Sequence, residues 1–274
     1  MSLIQALQAP DPRSRVRFRR LRPFLAWCVH LYTALGLVAA AGMAVLIAQP
    51  HPTPESFRLA FALMLVATVI DATDGTLARL VKVKEVLPGF DGRRLDDLID
   101  FLTYTFLPLL LVWRAGILPP GYEPWLLLPL LASAYGFSQV EAKTADGYFL
   151  GFPSYWNLVA FYLYVLRPPG WLSVTLLAGF ALLTFVPARY LYPTQRGKLN
   201  QLTNLLGTFW AVLLVWILWN LPVGSGLEDA RILGVISLAF PAYYLGASWA
   251  ISLKYWWKRR RAQSRKPQPA SGTP

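Results

Sequence analysis

Apolar runs of bilayer length dominate the 274 residues. They cover residues 24–48, 57–80, 95–113, 125–140, 155–166, 171–187, 202–219 and 232–253. A helix needs about 20 residues to cross a hydrocarbon core of about 30 Å. Most of these runs meet that length, and the fifth is short. Hydrophobic residues make up 55% of the chain and charged residues only 15%, whereas soluble domains carry roughly 25% charge. The expected fold is all-α, a polytopic membrane bundle of about eight transmembrane helices. Pro120-Gly121 and the Arg167-Pro-Pro-Gly170 break separate runs, and Pro241 is expected to kink the last one. No internal repeat and no soluble domain stand out. The domain reading is a basic segment at 1–23, a membrane domain at 24–257 and a basic tail at 258–274, expected to be disordered after Gln263. The first run and the arginines before it mimic a signal peptide. It is too long for that, and further runs follow, so no cleavage is expected. The single Cys28 excludes an internal disulfide.

Charge sets the expected orientation. If the runs alternate across the bilayer, twenty-two of the 26 Lys and Arg fall on one side; Arg58, Arg114, Arg167 and Arg231 fall on the other. By the positive-inside rule both termini then face the cytoplasm. The net charge of +12 does not point to nucleic acid, because the basic residues flank apolar runs. Tyr255-Trp256-Trp257 beside Lys258–Arg261 reads as an interfacial anchor on anionic lipid.

Within this apolar frame one acidic stretch stands out. Asp71, Asp74, Gly75 and Ala78 follow the i, i+3, i+4, i+7 rule, and Gly92, Asp96 and Asp100 follow i, i+4, i+8. Each set shares one helical face. Fourteen residues separate Phe57 from Asp71 and Asp100 from Arg114, roughly 21 Å of helix in each case. Both acidic stripes therefore reach the same depth, just inside one membrane face. Like charges raise one another's energy, more so when buried. A hard divalent cation with oxygen ligands relieves that repulsion. Asp97 lies off the stripe and reads as solvent-facing.

The pattern Asp71-x-x-Asp74-Gly75-x-x-Ala78-Arg79 … Gly92-x-x-x-Asp96-x-x-x-Asp100 resembles the signature of the CDP-alcohol phosphotransferases. These are integral membrane enzymes that join a CDP-activated group to an alcohol and release CMP. Twelve residues separate Arg79 from Gly92, a long spacer similar to that of the bacterial phosphatidylcholine synthases. The segments around Phe90–Phe106 and Gly151–Asn157 are similar to that subfamily as well. The resemblance implies a divalent cation, Mn2+ or Mg2+, on Asp71, Asp74, Asp96 and Asp100, with Asp100 as general base. It implies that Gly75, Ala78, Arg79 and Gly92 receive the nucleotide diphosphate. The implied reaction passes the phosphatidyl group of CDP-diacylglycerol to choline and releases CMP. The implied setting is a bacterial inner membrane, with the site facing the cytoplasm in a homodimer.

The acceptor is read from chemistry and resemblance together. Choline carries a quaternary ammonium without an N–H, so aromatic faces and a carboxylate recognise it. Tyr155, Trp156 and Glu141 are the expected contacts. Two rival readings stay open. One is another enzyme of the same family, such as a phosphatidylglycerophosphate or phosphatidylserine synthase. The spacer and the lack of an evident basic cluster for a phosphorylated acceptor argue against it. The other is an ion transporter, since intramembrane carboxylates also mark ion paths. Paired repeats or broken mid-membrane helices would then be expected.

Overall fold

The structure, a computed structural model, describes residues 12–139, 144, 147–191, 198–221 and 227–264. The chain falls into two compact units, Met1–Ala115 and Gly116–Pro274. The expected Glu141 and the tail beyond residue 264 lie outside the described residues.

The first unit is built on two long helices, α1 (Pro12–Ile47) and α2 (Pro54–Val81). In lipid, apolar surface gains little by leaving the acyl chains, so helices associate through close packing of small residues. This pair follows that rule. Ala26, Ala39 and Ala40 of α1 and Ala60 and Ala67 of α2 are buried. Gly42 gives room to Leu63, since a methyl there would come within 2.8 Å of Leu63 Cδ1. The buried residues Phe57, Phe61, Met64, Ala67 and Ile70 of α2 recur every three or four positions on the same face. Thr53 starts α2 with a capping box. Its hydroxyl accepts from the Ser56 N–H at 3.2 Å, and the Ser56 hydroxyl accepts from the Thr53 N–H at 3.3 Å.

α2 ends at Lys82, which takes φ 57° and turns the chain into the short helix α3 (Val83–Val86). The twelve-residue spacer thus has a structure of its own. Val83 is buried against Ala26 and Val29 of α1, with Ala78, Val81, Val86 and Leu87 packed around it. Asp91 then opens α4 (Gly92–Asp100), its carboxylate accepting from the N–H groups of Arg93 and Arg94. Ile99 of α4 packs on Gly36 of α1, where a methyl would come within 2.6 Å of Ile99 Cγ2.

The third apolar run is helical throughout but not uniform. α4 passes into a π-helix, Phe101–Phe106, and then into α5 (Leu107–Arg114). Pro108 explains the change. It has no N–H to give the Tyr104 carbonyl, and its ring crowds that oxygen. The Leu107 N–H instead reaches the Leu102 carbonyl, a five-residue step. At the far end, Arg114 donates from Nη2 to the Gln49 carbonyl at 2.6 Å and from Nε to the Ile47 carbonyl at 3.2 Å. It ties the end of α5 to the exposed carbonyls of the α1 C-terminus, where a cation is favoured.

The second unit carries a 3-10 turn (Glu123–Leu126), α6 (Leu127–Ser138), α7 (Trp156–Leu166), α8 (Gly170–Thr184), α9 (Lys198–Trp219), α10 (Leu227–Ser237) and α11 (Ala239–Ser264). Two two-residue strands, β1 (Phe149–Leu150) and β2 (Arg189–Tyr190), pair antiparallel. The Ser252 hydroxyl of α11 accepts from the Arg189 N–H at 2.7 Å, and Ser248 accepts from the Leu191 N–H at 3.2 Å. The break between α10 and α11 falls at Leu238, not at Pro241 itself. Residue 237 is four before Pro241, and its carbonyl is the one the proline ring excludes.

Each of the eight expected runs is helical, which bears out the all-α class. Four helices are long and apolar enough to cross a membrane, Leu21–Ile47, Pro54–Val81, Leu199–Trp219 and Glu228–Arg261. Trp156–Leu166 and Gly170–Thr184 are apolar but shorter. The first-unit packing yields a stability prediction. Arg114→Ala removes two charge-assisted bonds and strips the α1 end of its partner. It should lower the stability of the purified protein by about 1–3 kcal/mol, read as a lower thermal midpoint in detergent. An unchanged midpoint would show that water serves those carbonyls equally well.

Candidate active site

Asp71 projects from α2, and Asp96 and Asp100 from α4. Their carboxylates converge, with one oxygen from each lying within 4.8 Å of the other two. All three side chains are half-buried. Two helices from distant parts of the sequence thus gather three negative charges in a poorly solvated place, where repulsion is strong. A hard divalent cation takes oxygen ligands at about 2.0–2.6 Å, and a small inward adjustment of this trio reaches such a centre. The donor set therefore fits a hard divalent cation.

Tyr104 supports the trio from the π-helix, its hydroxyl donating to Asp71 Oδ2 at 2.7 Å. Stretches of π-helix occur frequently at functional sites, and this one begins directly after Asp100. Asp74 stands outside the trio. Its carboxylate is buried, and Oδ2 accepts from the Thr33 hydroxyl of α1 at 2.7 Å. The same face of α2 is tied to α1 a second time, by a 2.7 Å hydrogen bond between the hydroxyls of Tyr32 and Thr73.

Beside the carboxylates lies a cavity of about 550 Å³. Asp74, Gly75, Ala78, Arg79, Gly92 and Asp96 all face it. Asp96 therefore belongs to both the trio and the cavity wall. The spacer supplies another part of the wall, through Lys82, Lys84, Glu85 and Phe90. Arg79 is steadied by a bond from Nη2 to the Thr76 hydroxyl at 2.9 Å, which leaves the guanidinium with further N–H groups to offer. The volume falls within the range of ordinary small-molecule sites.

The two signature glycines do different work. A methyl at Gly75 would meet only the tip of Arg79, at 3.5 Å. No protein packing demands a glycine there, so the open face serves whatever enters the cavity. A methyl at Gly92 would come within 2.5 Å of His30 Cε1. Gly92 makes room for a ring of α1 as well as facing the cavity. The expectation that Gly92 receives the nucleotide diphosphate does not include this contact.

Among the expected acceptor residues, Trp156 is fully buried and donates its indole N–H to Ser133 Oγ at 2.6 Å. It is part of the second unit's core, packed edge-on to Phe152. Tyr155 is half-buried, with Phe152 and Tyr244 beside it. Asp97 pairs loosely with Arg93 at 3.9 Å on the surface, as its position off the stripe suggests. Thr33 escaped the sequence reading, because nothing in the pattern of α1 points to Asp74. Tyr104 was legible in principle, since it continues the Asp96, Asp100 stripe by four residues.

The fold and site define an integral membrane protein with an acidic, cation-competent centre set among its helices. No protein-family model matches the chain. Individual relatives are informative. It is 39% identical over 180 residues to the phosphatidylcholine synthase of Legionella pneumophila, covering 65% of this chain and 69% of that protein. It is 38% identical to the enzyme of that name from Bradyrhizobium diazoefficiens, covering 75% and 76%. It is 36% identical to the one from Pseudomonas aeruginosa, covering 84% and 93%. The chain belongs to the phosphatidylcholine synthase family.

The contrast between the two glycines is testable by stability alone. Gly92→Ala should cost about 1–3 kcal/mol, the usual penalty for overpacking. Gly75→Ala should leave the thermal midpoint within about a degree, or raise it slightly, because alanine is the better helix former. Equal losses in both variants would contradict the assignment.

Proposed function

We propose that this protein transfers the phosphatidyl group of CDP-diacylglycerol to the hydroxyl of choline and releases CMP. The observation that carries this reading is the placement of the signature. Six of its residues face one cavity, and three of its carboxylates converge at the cavity's edge. The signature also ties the chain to the wider CDP-alcohol phosphotransferases. The shared ancestry with phosphatidylcholine synthases favours choline as the acceptor.

The residues take separate roles in this reading. Asp71, Asp96 and Asp100 would hold the divalent cation, Mn2+ or Mg2+. When bound, the ion would supply positive charge against the negative charge that develops on the leaving CMP. The resemblance counts Asp74 among the ligands as well. Its bond to Thr33 fixes it in the cavity wall, one turn from Asp71. Arg79 forks onto phosphate oxygens, and the bare faces of Gly75 and Ala78 let the nucleotide lie against α2. Asp100 accepts the proton of the acceptor hydroxyl as its oxygen attacks the phosphorus bonded to diacylglycerol. Tyr104 holds Asp71 in orientation. Aromatic faces would hold the trimethylammonium group, with Tyr155 the candidate and Glu141 a possible charge partner. Trp156, buried against Phe152, serves the core of the second unit.

The activity test is direct. Purified protein with CDP-diacylglycerol and Mn2+ or Mg2+ should consume choline and leave serine and glycerol 3-phosphate untouched. A chelator should abolish turnover, and metal should restore it. Asp71→Asn, Asp96→Asn and Asp100→Asn should each lose at least about 100-fold in kcat/KM while keeping the wild-type elution profile. Consumption of serine or glycerol 3-phosphate in place of choline would refute the choice of acceptor. Full turnover in the chelator would refute the role of the cation.

The same reading sets the site at the cytoplasmic face of a bacterial inner membrane, in a homodimer, with both termini inside. The asymmetry of basic residues supports the orientation. A reporter fused after Pro274 should be active only in the cytoplasm. Periplasmic activity would invert the topology.

A further inference from the structure

Among the residues lining the 550 Å³ cavity, His30 of α1 is an uncharged polar side chain that neither the signature nor the mechanism uses. It is only 6% exposed, and its Nε2 has no hydrogen-bond partner. A buried nitrogen without a partner costs about 1–3 kcal/mol, so such an atom in a cavity wall calls for a reason.

The ring is held on several sides. Phe90 of the spacer lies against it at 4.4 Å between centroids, tilted by 51°. Trp27 meets it edge-on at 5.8 Å, and the missing side chain of Gly92 gives it room. These contacts fix where the imidazole sits and leave Nε2 without a polar partner. Solvent does not reach Nε2. A ligand in the cavity reaches this nitrogen only if the ring turns about its Cβ–Cγ bond.

The rest of the wall indicates which part of a ligand the ring meets. Its other polar residues are charged, apart from Thr33, whose hydroxyl is given to Asp74. Charged groups suit the diphosphate. A neutral imidazole, with one N–H and one lone pair, suits neutral hydroxyl, carbonyl or ring-nitrogen groups. Within a CDP-lipid those belong to the nucleoside.

We propose that His30 is a binding residue for the nucleoside moiety of the CDP-activated donor, hydrogen-bonding a ribose hydroxyl or the polar edge of the base from its seat on Phe90 and Gly92. This rests on reading the cavity as the nucleotide site.

The test uses the full-length purified protein and two substitutions. His30→Phe keeps an aromatic ring on Phe90 and Gly92 but removes both nitrogens. His30→Gln keeps a donor and an acceptor at similar reach. His30→Phe should raise the KM for CDP-diacylglycerol and the Kd for CMP about tenfold, the equivalent of ~1.4 kcal/mol. The kcat and the KM for choline should stay within about twofold. His30→Gln should recover most of the loss. With a 2′-deoxycytidine donor, a penalty that disappears assigns the contact to the ribose 2′-hydroxyl, and one that persists assigns it elsewhere on the nucleoside. Either result supports the proposal. Unchanged CMP affinity in His30→Phe overturns it, as does a fall in kcat and thermal midpoint that is equal in the Phe and Gln variants. Calorimetry with CMP needs no turnover. A wild-type protein that binds CMP but ignores choline would therefore count against the functional reading and leave the His30 test intact.

Discussion

Three carboxylates held together in a poorly solvated helix bundle are the constraint around which the first unit is arranged. Left alone, Asp71, Asp96 and Asp100 repel one another, and the repulsion grows as the local dielectric falls. Helix packing has to oppose it. The close approach of α1 to α2 at Gly42 and of α1 to α4 at Gly36 supplies that packing. The Tyr104 hydroxyl gives Asp71 a fixed donor, and the Thr33 hydroxyl does the same for Asp74 beside the trio. Removing one member of such a set leaves its partner group buried and unserved. The trio offers oxygen ligands that a hard divalent cation could take, which would relieve the repulsion that remains.

The spacer between the two halves of the signature is the second organising feature. A loose loop of twelve residues would join α2 to α4 equally well. This one folds back as α3, seats Val83 on Ala26 and Val29, and returns through Phe90 to the Trp27 and His30 rings. It thereby becomes a wall of the cavity and brings Lys82, Lys84 and Glu85 to its edge. The left-handed turn at Lys82 makes this return possible. Backbone strain at a non-glycine residue costs of order 1–3 kcal/mol and concentrates at functional sites. Here it falls next to the residues that line the cavity.

Proline placement shapes two other helices by a shared mechanism. Pro108 leaves the Tyr104 carbonyl without a donor, and the backbone answers with a π-helix. Pro241 does the same to the Ser237 carbonyl, and the chain answers with a break at Leu238. In the first case the altered turn lies immediately after Asp100 and carries the tyrosine that serves Asp71. A proline in a membrane helix is tolerated where neighbouring groups satisfy the freed backbone.

Much of this was determined by the sequence alone, for simple periodic reasons. Apolar runs of bilayer length have few alternatives to helices, because lipid offers no partner to an unbonded backbone. The spacing of the aspartates put Asp71 on one stripe and Asp96 with Asp100 on another, since 3.6 residues per turn leaves little choice. Tertiary structure decided what those stripes meet. Asp74 shares a face with Asp71, yet Thr33 of another helix claims it and the trio forms without it. Gly75 and Gly92 look equivalent in the pattern; one faces open space and the other a histidine. Trp156 looked like a free aromatic face and lies wholly within the second unit's core. His30, which no sequence motif singles out, lies in the cavity wall. In each case the deciding partner lies far away in the chain, and periodicity carries no information about it.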